Sequence, residues 1–149
     1  MIETECQSLV VAAVKEVGGQ ALKLNNRFLV GVVDLFLKLP DTQPMWLEAK
    51  LHKFSASTIA RGYHIADIGC THKQKQWLRD WGYAGMLTGV ASFVMEQGGN
   101  VSTLRMAVYS EEEMLKRHWS AHTDEHALLG EKSERLLNIR SQLKELANG

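Results

Sequence analysis

Residues 30–51 read VGVVDLFLKLPDTQPMWLEAKL, and their pattern is the strongest indication of the fold. The run from 30 to 39 is rich in β-branched and aromatic residues, the segment from 40 to 44 contains both prolines of the chain, and the run from 45 to 51 is again apolar. Apolar runs of this length on either side of a turn predict two antiparallel strands that form a hairpin.

Charged residues interrupt both predicted strands. Because side chains alternate across a strand, Glu48 and Lys50 project from one face of the second strand, away from its apolar face. With the turn centred near residues 41–42, Asp34 of the first strand lies opposite the stretch from Glu48 to Lys50. The hairpin therefore predicts two carboxylates and an amine at one patch of an otherwise apolar sheet.

This grouping has a chemical interpretation. Two neighbouring carboxylates repel each other unless a cation or a shared proton compensates, and oxygen ligands suit a hard cation such as Mg²⁺ or Mn²⁺. Lys50 beside such a cation would orient a nucleophilic water or stabilise a charged transition state. The alternative is an exposed sheet face with a Glu–Lys surface pair that contributes little energy.

The rest of the chain alternates between helical and strand patterns. The predicted elements are a helix over 3–17, a strand over 20–24, the hairpin, a helix from Thr71 that Gly82 ends, strands over 86–95 and 103–109, and helices from Ser110 to about 147. The segment 52–70 has the weakest pattern and is predicted to be a loop or to carry a short helix. This order predicts an α/β or an α+β domain.

Composition narrows the class of protein. The 149 residues are 45% hydrophobic and 23% charged, which is typical of one soluble domain and not of a disordered or fibrous chain. Two cysteines are too few for a disulfide scaffold. No apolar run approaches the roughly 20 residues of a membrane span, and the N-terminus lacks the pattern of a signal peptide. We expect a cytoplasmic protein without a membrane partner.

Basic residues concentrate in one segment, although the net charge of the chain is zero. Between residues 50 and 79 there are six Lys or Arg residues against one acid, Asp67. A local basic surface contacts phosphates even in a neutral chain, so Lys53, Arg61 and Lys73 are candidate nucleic-acid contacts. The alternative is a solvated loop with unspecific charge.

The cysteine and histidine residues give weaker indications of a metal site. Cys70, His72 and His64 suggest zinc, but one cysteine at this spacing lacks the ligand set of a structural zinc site. His118, His122 and His126 recur every four residues on one face of a predicted helix; without a neighbouring cysteine or fixed carboxylate they predict no metal site.

Four sequence motifs together resemble a nuclease superfamily. Gly31–Asp34 followed by Glu48-Ala49-Lys50 resembles the D…(D/E)-x-K signature of the PD-(D/E)XK nucleases, and more narrowly their VRR-NUC branch of virus-type replication-repair nucleases. Residues 71–78 fit the Ser/Thr-x-x-Gln-x-x-aromatic-Leu segment of that branch, and residues 3–7 fit its helix opening. The resemblance spans roughly residues 3–95. Val33 replaces the proline of the superfamily name, and the stretch between Lys50 and Thr71 is longer than usual.

The resemblance implies a fold and a domain organisation. The fold is a restriction-endonuclease-like core with a central mixed sheet flanked by helices over 1–109, in which 52–70 is a basic insertion. Residues 110–149 then form a helical C-terminal extension whose apolar stripe is the candidate contact of a homodimer.

The resemblance also implies residue roles. Asp34 and Glu48 become metal ligands with the backbone carbonyl of Ala49, Lys50 becomes the catalytic lysine, and Gln74 positions water, metal or phosphate. The acid on the first helix is either Glu3 or Glu5, and helical geometry favours Glu3.

The implied activity is that of a Mg²⁺- or Mn²⁺-dependent DNA endonuclease acting on branched or junction DNA, encoded by a phage and working in the host cytoplasm. Two alternatives stay open: a sequence-specific homing or restriction-type endonuclease, and a non-catalytic nucleic-acid-binding module of the same fold.

Overall fold

The computed structural model describes residues 2–24, 31–61, 70–98, 104–110, 126–127 and 132–148. The elements in chain order are α1 (Glu3–Glu16), β1 (Gln20–Lys23), β2 (Leu35–Lys38), β3 (Met45–Phe54), α2 (Ala56–Arg61), α3 (His72–Tyr83), β4 (Leu87–Glu96), β5 (Arg105–Ser110), β6 (His126–Ala127) and α4 (Lys132–Asn148). The strands form one six-stranded sheet in the order β1-β2-β3-β4-β5-β6. Only β3 and β4 run parallel among these neighbours; the other pairs are antiparallel. The predicted α/β fold with a central mixed sheet flanked by helices is confirmed.

One face of the sheet is covered by α1 and α4. The apolar stripe of α1 and the inward side chains of β2 and β3 are fully or nearly fully buried in one cluster: Cys6, Val10, Ala13, Val14, Leu35, Leu37, Met45, Leu47 and Ala49. From α4, Leu136, Ile139 and Leu143 join the same cluster. The apolar stripe that the sequence suggested for a dimer contact therefore packs inside the chain.

The opposite face carries α3. Leu78 is completely buried there with Val90 and Val94 of β4, and Trp77 packs against the same cluster. Thr71 caps the helix by accepting a hydrogen bond from the Gln74 N–H at 3.2 Å, as its sequence predicts.

The helix α3 ends later than predicted. Gly82 is helical, and the chain turns away at Gly85, whose φ of +95° is the left-handed conformation that glycine adopts without a Cβ penalty. The glycine that ends the helix is therefore Gly85 and not Gly82.

The first strand of the hairpin is shorter than predicted. It begins at Leu35 and not near Val30, because Gly31 turns with a φ of +90° close against the first turn of α3. A Cβ at Gly31 would lie 2.4 Å from the Cβ of Lys73. This approach takes residues 31–34 out of the ladder; residue 30 lies outside the described part of the chain.

The predicted basic insertion is partly regular structure. β3 continues to Phe54 and pairs with β4 along its whole length, so residues 52–54 belong to the sheet, and α2 occupies 56–61. Long apolar pairing with β4 extends the strand beyond the end that its own periodicity indicated.

The region after residue 109 is not entirely helical. Ser110 ends β5, and β6 pairs with β5 through His126 and Ala127. His126 therefore lies on a strand at the sheet edge, and the three histidines do not share one helix face. His118 and His122 lie outside the described residues. The division of the chain at residue 110 remains a prediction.

Of the helices that the structure describes, none combines the length and the hydropathy of a membrane span.

Replacing Gly31 by alanine tests the close approach to α3. We expect Gly31→Ala to lower the free energy of unfolding by roughly 1–3 kcal/mol, because it adds both left-handed strain and a steric clash. Gly18→Ala is the matched control, since Gly18 also has a positive φ (+83°) but no atom within 4 Å of the added Cβ. Urea denaturation of both variants measures the difference; equal losses would contradict the clash.

Candidate active site

Three carboxylates from three different elements meet at one end of the hairpin. Asp34 directly precedes β2, Glu48 lies within β3, and Glu3 is the first residue of α1. One oxygen of each carboxylate lies within 4.8 Å of an oxygen of the other two. The structure thus brings together the predicted acids of the hairpin with Glu3 of the first helix.

The other candidate on that helix, Glu5, has a different position. The Ile2 N–H donates a hydrogen bond to Glu5 Oε2 at 2.7 Å, so this carboxylate caps its own helix. Of the two acids that the sequence left open, the structure places Glu3 in the cluster.

The end of the β2–β3 ladder positions the acids. Leu35 pairs with Leu47 as the last described pair, so Asp34 lies just past the end of this ladder, on the side of Glu48, as predicted. Beyond that pair, the N–H of Ala49 donates to Asp34 Oδ2 at 3.4 Å and the N–H of Leu51 donates to Glu3 Oε2 at 3.4 Å. The two carboxylates occupy the places where a neighbouring strand would supply carbonyl oxygens.

Glu48 is the centre of the cluster. It is 0% exposed, and its carboxylate accepts hydrogen bonds from the Asp34 N–H at 3.0 Å and the Gln74 amide at 2.9 Å. Lys50 Nζ lies 3.1 Å from Glu48 Oε1 and 3.9 Å from Glu3 Oε1. Four of the predicted site residues therefore share direct contacts around this one carboxylate.

The capping geometry of α3 holds the Gln74 amide in place. The Gln74 side-chain oxygen accepts a hydrogen bond from the Thr71 N–H at 3.0 Å, while its NH₂ group points to Glu48. One amide thus caps a helix and orients a buried carboxylate.

Burial and neighbouring charges shift the pKa values of Glu48 and Lys50, which form the ion pair at the centre of the cluster. Desolvation and the charge of Asp34 raise the pKa of Glu48 to about 8, against the opposing effect of Lys50. Burial disfavours the charged form of Lys50, but the attraction of Glu48 and Glu3 outweighs it and raises the pKa of the ammonium. When ionised, three carboxylates and one ammonium leave a formal charge of −2 in the cluster.

The donor set fits a hard divalent cation. Every candidate ligand atom is a carboxylate oxygen, the type that Mg²⁺ and Mn²⁺ prefer, and the formal charge balances such an ion. Cys70 is buried nearby, and burial and the charge of Glu48 raise the pKa of its thiol to about 12, which disfavours the thiolate that zinc requires. His72 begins α3, and His64 lies outside the described residues.

The structure separates the remaining predicted residues from this cluster. Lys53 is exposed and, by strand alternation, projects from the face opposite Lys50. Arg61 ends α2, where its Nε donates to the Ser57 carbonyl at 3.3 Å. Lys73 is exposed in the first turn of α3, one residue before Gln74. Their contacts with nucleic acid stay predictions, as does the Ala49 carbonyl as a metal ligand.

Aromatic side chains pack beside the cluster. The ring of Trp46, two residues before Glu48, lies 4.8 Å from Phe36 and 5.5 Å from both Trp77 and Trp81. Phe36 and Trp46 of the sheet thus pack against Trp77 and Trp81 of α3.

Ser92 of β4 was not apparent from the sequence. It pairs in register with Lys50, is 0% exposed, and its hydroxyl has no hydrogen-bond partner in the described part of the protein. No local pattern identifies it, because its position beside Lys50 depends on the register between two strands more than 40 residues apart along the chain.

Comparisons with known proteins give similarities to solved structures and none to a family model or a curated protein. Among solved structures, a similar chain is Hjc, a Holliday junction resolvase from the archaeal hyperthermophile Archaeoglobus fulgidus, with 12% sequence identity and a TM-score of 0.41 over 74% of this chain and 73% of that chain. A similarity at this level transfers neither an activity nor a residue role to the present protein.

The raised pKa of Glu48 predicts a pH-dependent response to Mg²⁺. Because the pKa of Glu48 in the folded protein is raised above its ordinary value of 4.5, the contribution of Glu48 to the free energy of unfolding falls as the pH rises between the two pKa values. A cation needs the deprotonated form, and its apparent affinity should therefore drop about tenfold for each pH unit below 8. We expect the Mg²⁺-induced rise in Tm to grow from pH 6 to pH 8.5.

Thermal denaturation with millimolar Mg²⁺ or with EDTA measures this response. Asp34→Asn is the control, because it removes one carboxylate and should abolish the Mg²⁺-induced rise at every pH. A rise in Tm that is independent of pH would contradict the assignment of Glu48 as a ligand that must lose a proton.

Proposed function

We propose that the protein is a metal-dependent DNA endonuclease of the PD-(D/E)XK type that hydrolyses phosphodiester bonds. The observation that carries the proposal is the convergence of Glu3, Asp34 and Glu48 within 4.8 Å with Lys50 Nζ 3.1 Å from Glu48. A cluster of three acids and one lysine around a buried carboxylate has little value for stability, since desolvation offsets the attraction between the charges. Its geometry suits catalysis.

Each residue of the cluster has a separate role in the proposed hydrolysis. Asp34, Glu48 and Glu3 would hold Mg²⁺ or Mn²⁺, which would supply activation of a water nucleophile and neutralisation of charge at the phosphate. Lys50 orients the attacking water and stabilises the negative charge that develops on the phosphate oxygens. Gln74 keeps Glu48 in one orientation through its amide.

Branched or junction DNA is the substrate that we infer from the VRR-NUC-like motifs. Cutting paired strands at a junction needs two active sites, which a homodimer supplies. Because Leu136, Ile139 and Leu143 are buried against the rest of the chain, the dimer contact would use other residues. The proposed place of action is the cytoplasm, including that of a phage-infected host.

Sequence-specific cleavage is the second candidate. It is favoured by the net positive charge between residues 50 and 79 and by α2, which ends with Arg61. Base readout needs elements that reach into a groove. A non-catalytic module of the same fold is a weaker candidate, because Asp34, Glu48 and Lys50 are all present and in contact.

Removing the lysine tests the proposed reaction. We expect Lys50→Ala to reduce Mg²⁺-dependent cleavage by about 10²–10³-fold, because one positioned charge in a buried site supplies this much transition-state stabilisation. The assay compares linear duplex, flap and four-way-junction DNA, each with Mg²⁺ and with EDTA. Lys144→Ala, an exposed position on α4, is the control and should cleave as the unmodified protein does.

The substrates separate the candidates. Preferential cutting of the junction supports the branched-DNA proposal, whereas fixed cut positions in random-sequence linear DNA would favour the sequence-specific enzyme. Binding without cutting by the unmodified protein, with any divalent metal, would favour the non-catalytic module. Analytical ultracentrifugation tests the homodimer, and a monomer on junction DNA would contradict it.

A further inference from the structure

We propose that Ser92 is a positioning residue for Lys50: its hydroxyl accepts a hydrogen bond from the Lys50 ammonium when Glu48 is engaged with a cation. The inference rests on the proposed function and extends the site to a strand that carries none of the residues assigned above. It is argued from register, burial and the acceptors that surround the ammonium.

Ser92 and Lys50 are neighbours on the same face of the sheet. β3 and β4 pair in parallel with Lys50 in register with Ser92, and paired strands lie about 4.8 Å apart. Ser92 shares its face of β4 with Val90 and Val94, which pack under α3. Lys50 shares its face of β3 with Glu48. The hydroxyl therefore lies beside the lysine at the base of the acidic cluster.

The Ser92 hydroxyl has unused hydrogen-bonding capacity. Its oxygen is buried and lacks a partner among the described residues. An unpaired buried polar group costs roughly 1–3 kcal/mol, and exceptions of this kind require an explanation. The Lys50 ammonium provides this explanation, because it carries three N–H donors that need acceptors.

The ammonium has few other acceptors. Glu48 Oε1 at 3.1 Å is shared with the Gln74 amide, and Glu3 Oε1 at 3.9 Å is beyond hydrogen-bond distance. A cation held by these carboxylates competes for their lone pairs and repels the ammonium. The acceptor that a cation leaves untouched is the hydroxyl across the ladder.

His52 is the other polar neighbour on this face. It lies two residues further along β3, about 6.6 Å away, and its ring is stacked against Phe54 with centroids 6.0 Å apart and planes at 6°. Stacking holds the imidazole along the strand. Its Nε2 is also buried without a partner among the described residues, but Ser92 pairs directly with Lys50 across the ladder and its hydroxyl can rotate, so Ser92 is the better partner for the ammonium.

Removing the hydroxyl separates catalysis from stability. We expect Ser92→Ala to leave the Tm of the metal-free protein equal or higher, since an unpaired buried polar atom is lost. We expect kcat on the preferred DNA to fall about 10- to 100-fold with KM unchanged, because the lysine is oriented only in the loaded site. Ser92→Thr keeps the hydroxyl and should restore most of the activity.

Thr88→Val is the matched control. Thr88 lies on the same strand and face, is also buried, and is in register with Trp46 and not with Lys50. Its loss should leave kcat unchanged. Equal kcat for Ser92→Ala and the unmodified protein, or equal losses in Ser92→Ala and Thr88→Val, would overturn the positioning role.

A second readout does not depend on cleavage. In NMR spectra of ¹⁵N-lysine-labelled protein, assigned with Lys50→Arg, we expect Mg²⁺ to slow hydrogen exchange of the Lys50 ammonium in the unmodified protein and not in Ser92→Ala. The same exchange rate in both proteins would overturn the inference even if DNA is cut. Absence of both Mg²⁺ binding and cleavage in the unmodified protein would overturn the proposed function and, with it, this inference.

Discussion

The buried carboxylate of Glu48 is the constraint on which the rest of the site depends. Transferring a charged group from water into the protein interior costs far more free energy than a surface ion pair recovers. The fold must therefore supply hydrogen-bond donors on every side of this carboxylate. The Asp34 N–H, the Gln74 amide and the Lys50 ammonium meet this need. They come from a loop, a helix and a strand. Solvating one side chain therefore ties together the hairpin, α3 and the face of β3 that carries the lysine.

The second determinant is the place where β2 stops pairing with β3. Past Leu47, no strand among the described residues pairs with β3 on the side of β2, and the side chains of Asp34 and Glu3 accept hydrogen bonds from two N–H groups of β3 there. These backbone N–H groups hold the carboxylates of Asp34 and Glu3 in place. The bond to Glu3 also brings the start of α1 to the sheet. A gap in the ladder thus becomes a site with concentrated negative charge, although the chain as a whole is neutral.

Local patterns were sufficient for several parts of this arrangement. Alternation along β3 placed Glu48 and Lys50 on one face, the turn length placed Asp34 opposite them, and Thr71 marked the start of α3. Each of these inferences involves residues close in sequence, where side-chain periodicity and turn chemistry act directly. The start of β2 could not be predicted from local patterns, because the conformation of Gly31 depends on its close approach to Lys73, over 40 residues away along the chain.

The amino-acid sequence by itself determined the hairpin, the identity of the acidic and basic residues on it, and the helices on either side. The tertiary structure alone decided that Glu3 and not Glu5 joins the acids, that Ser92 stands beside Lys50, and that the apolar stripe of α4 closes the core. Periodicity reports which face of an element is apolar. It does not report which distant element that face meets, because strand register and helix docking are set by packing between residues far apart along the chain.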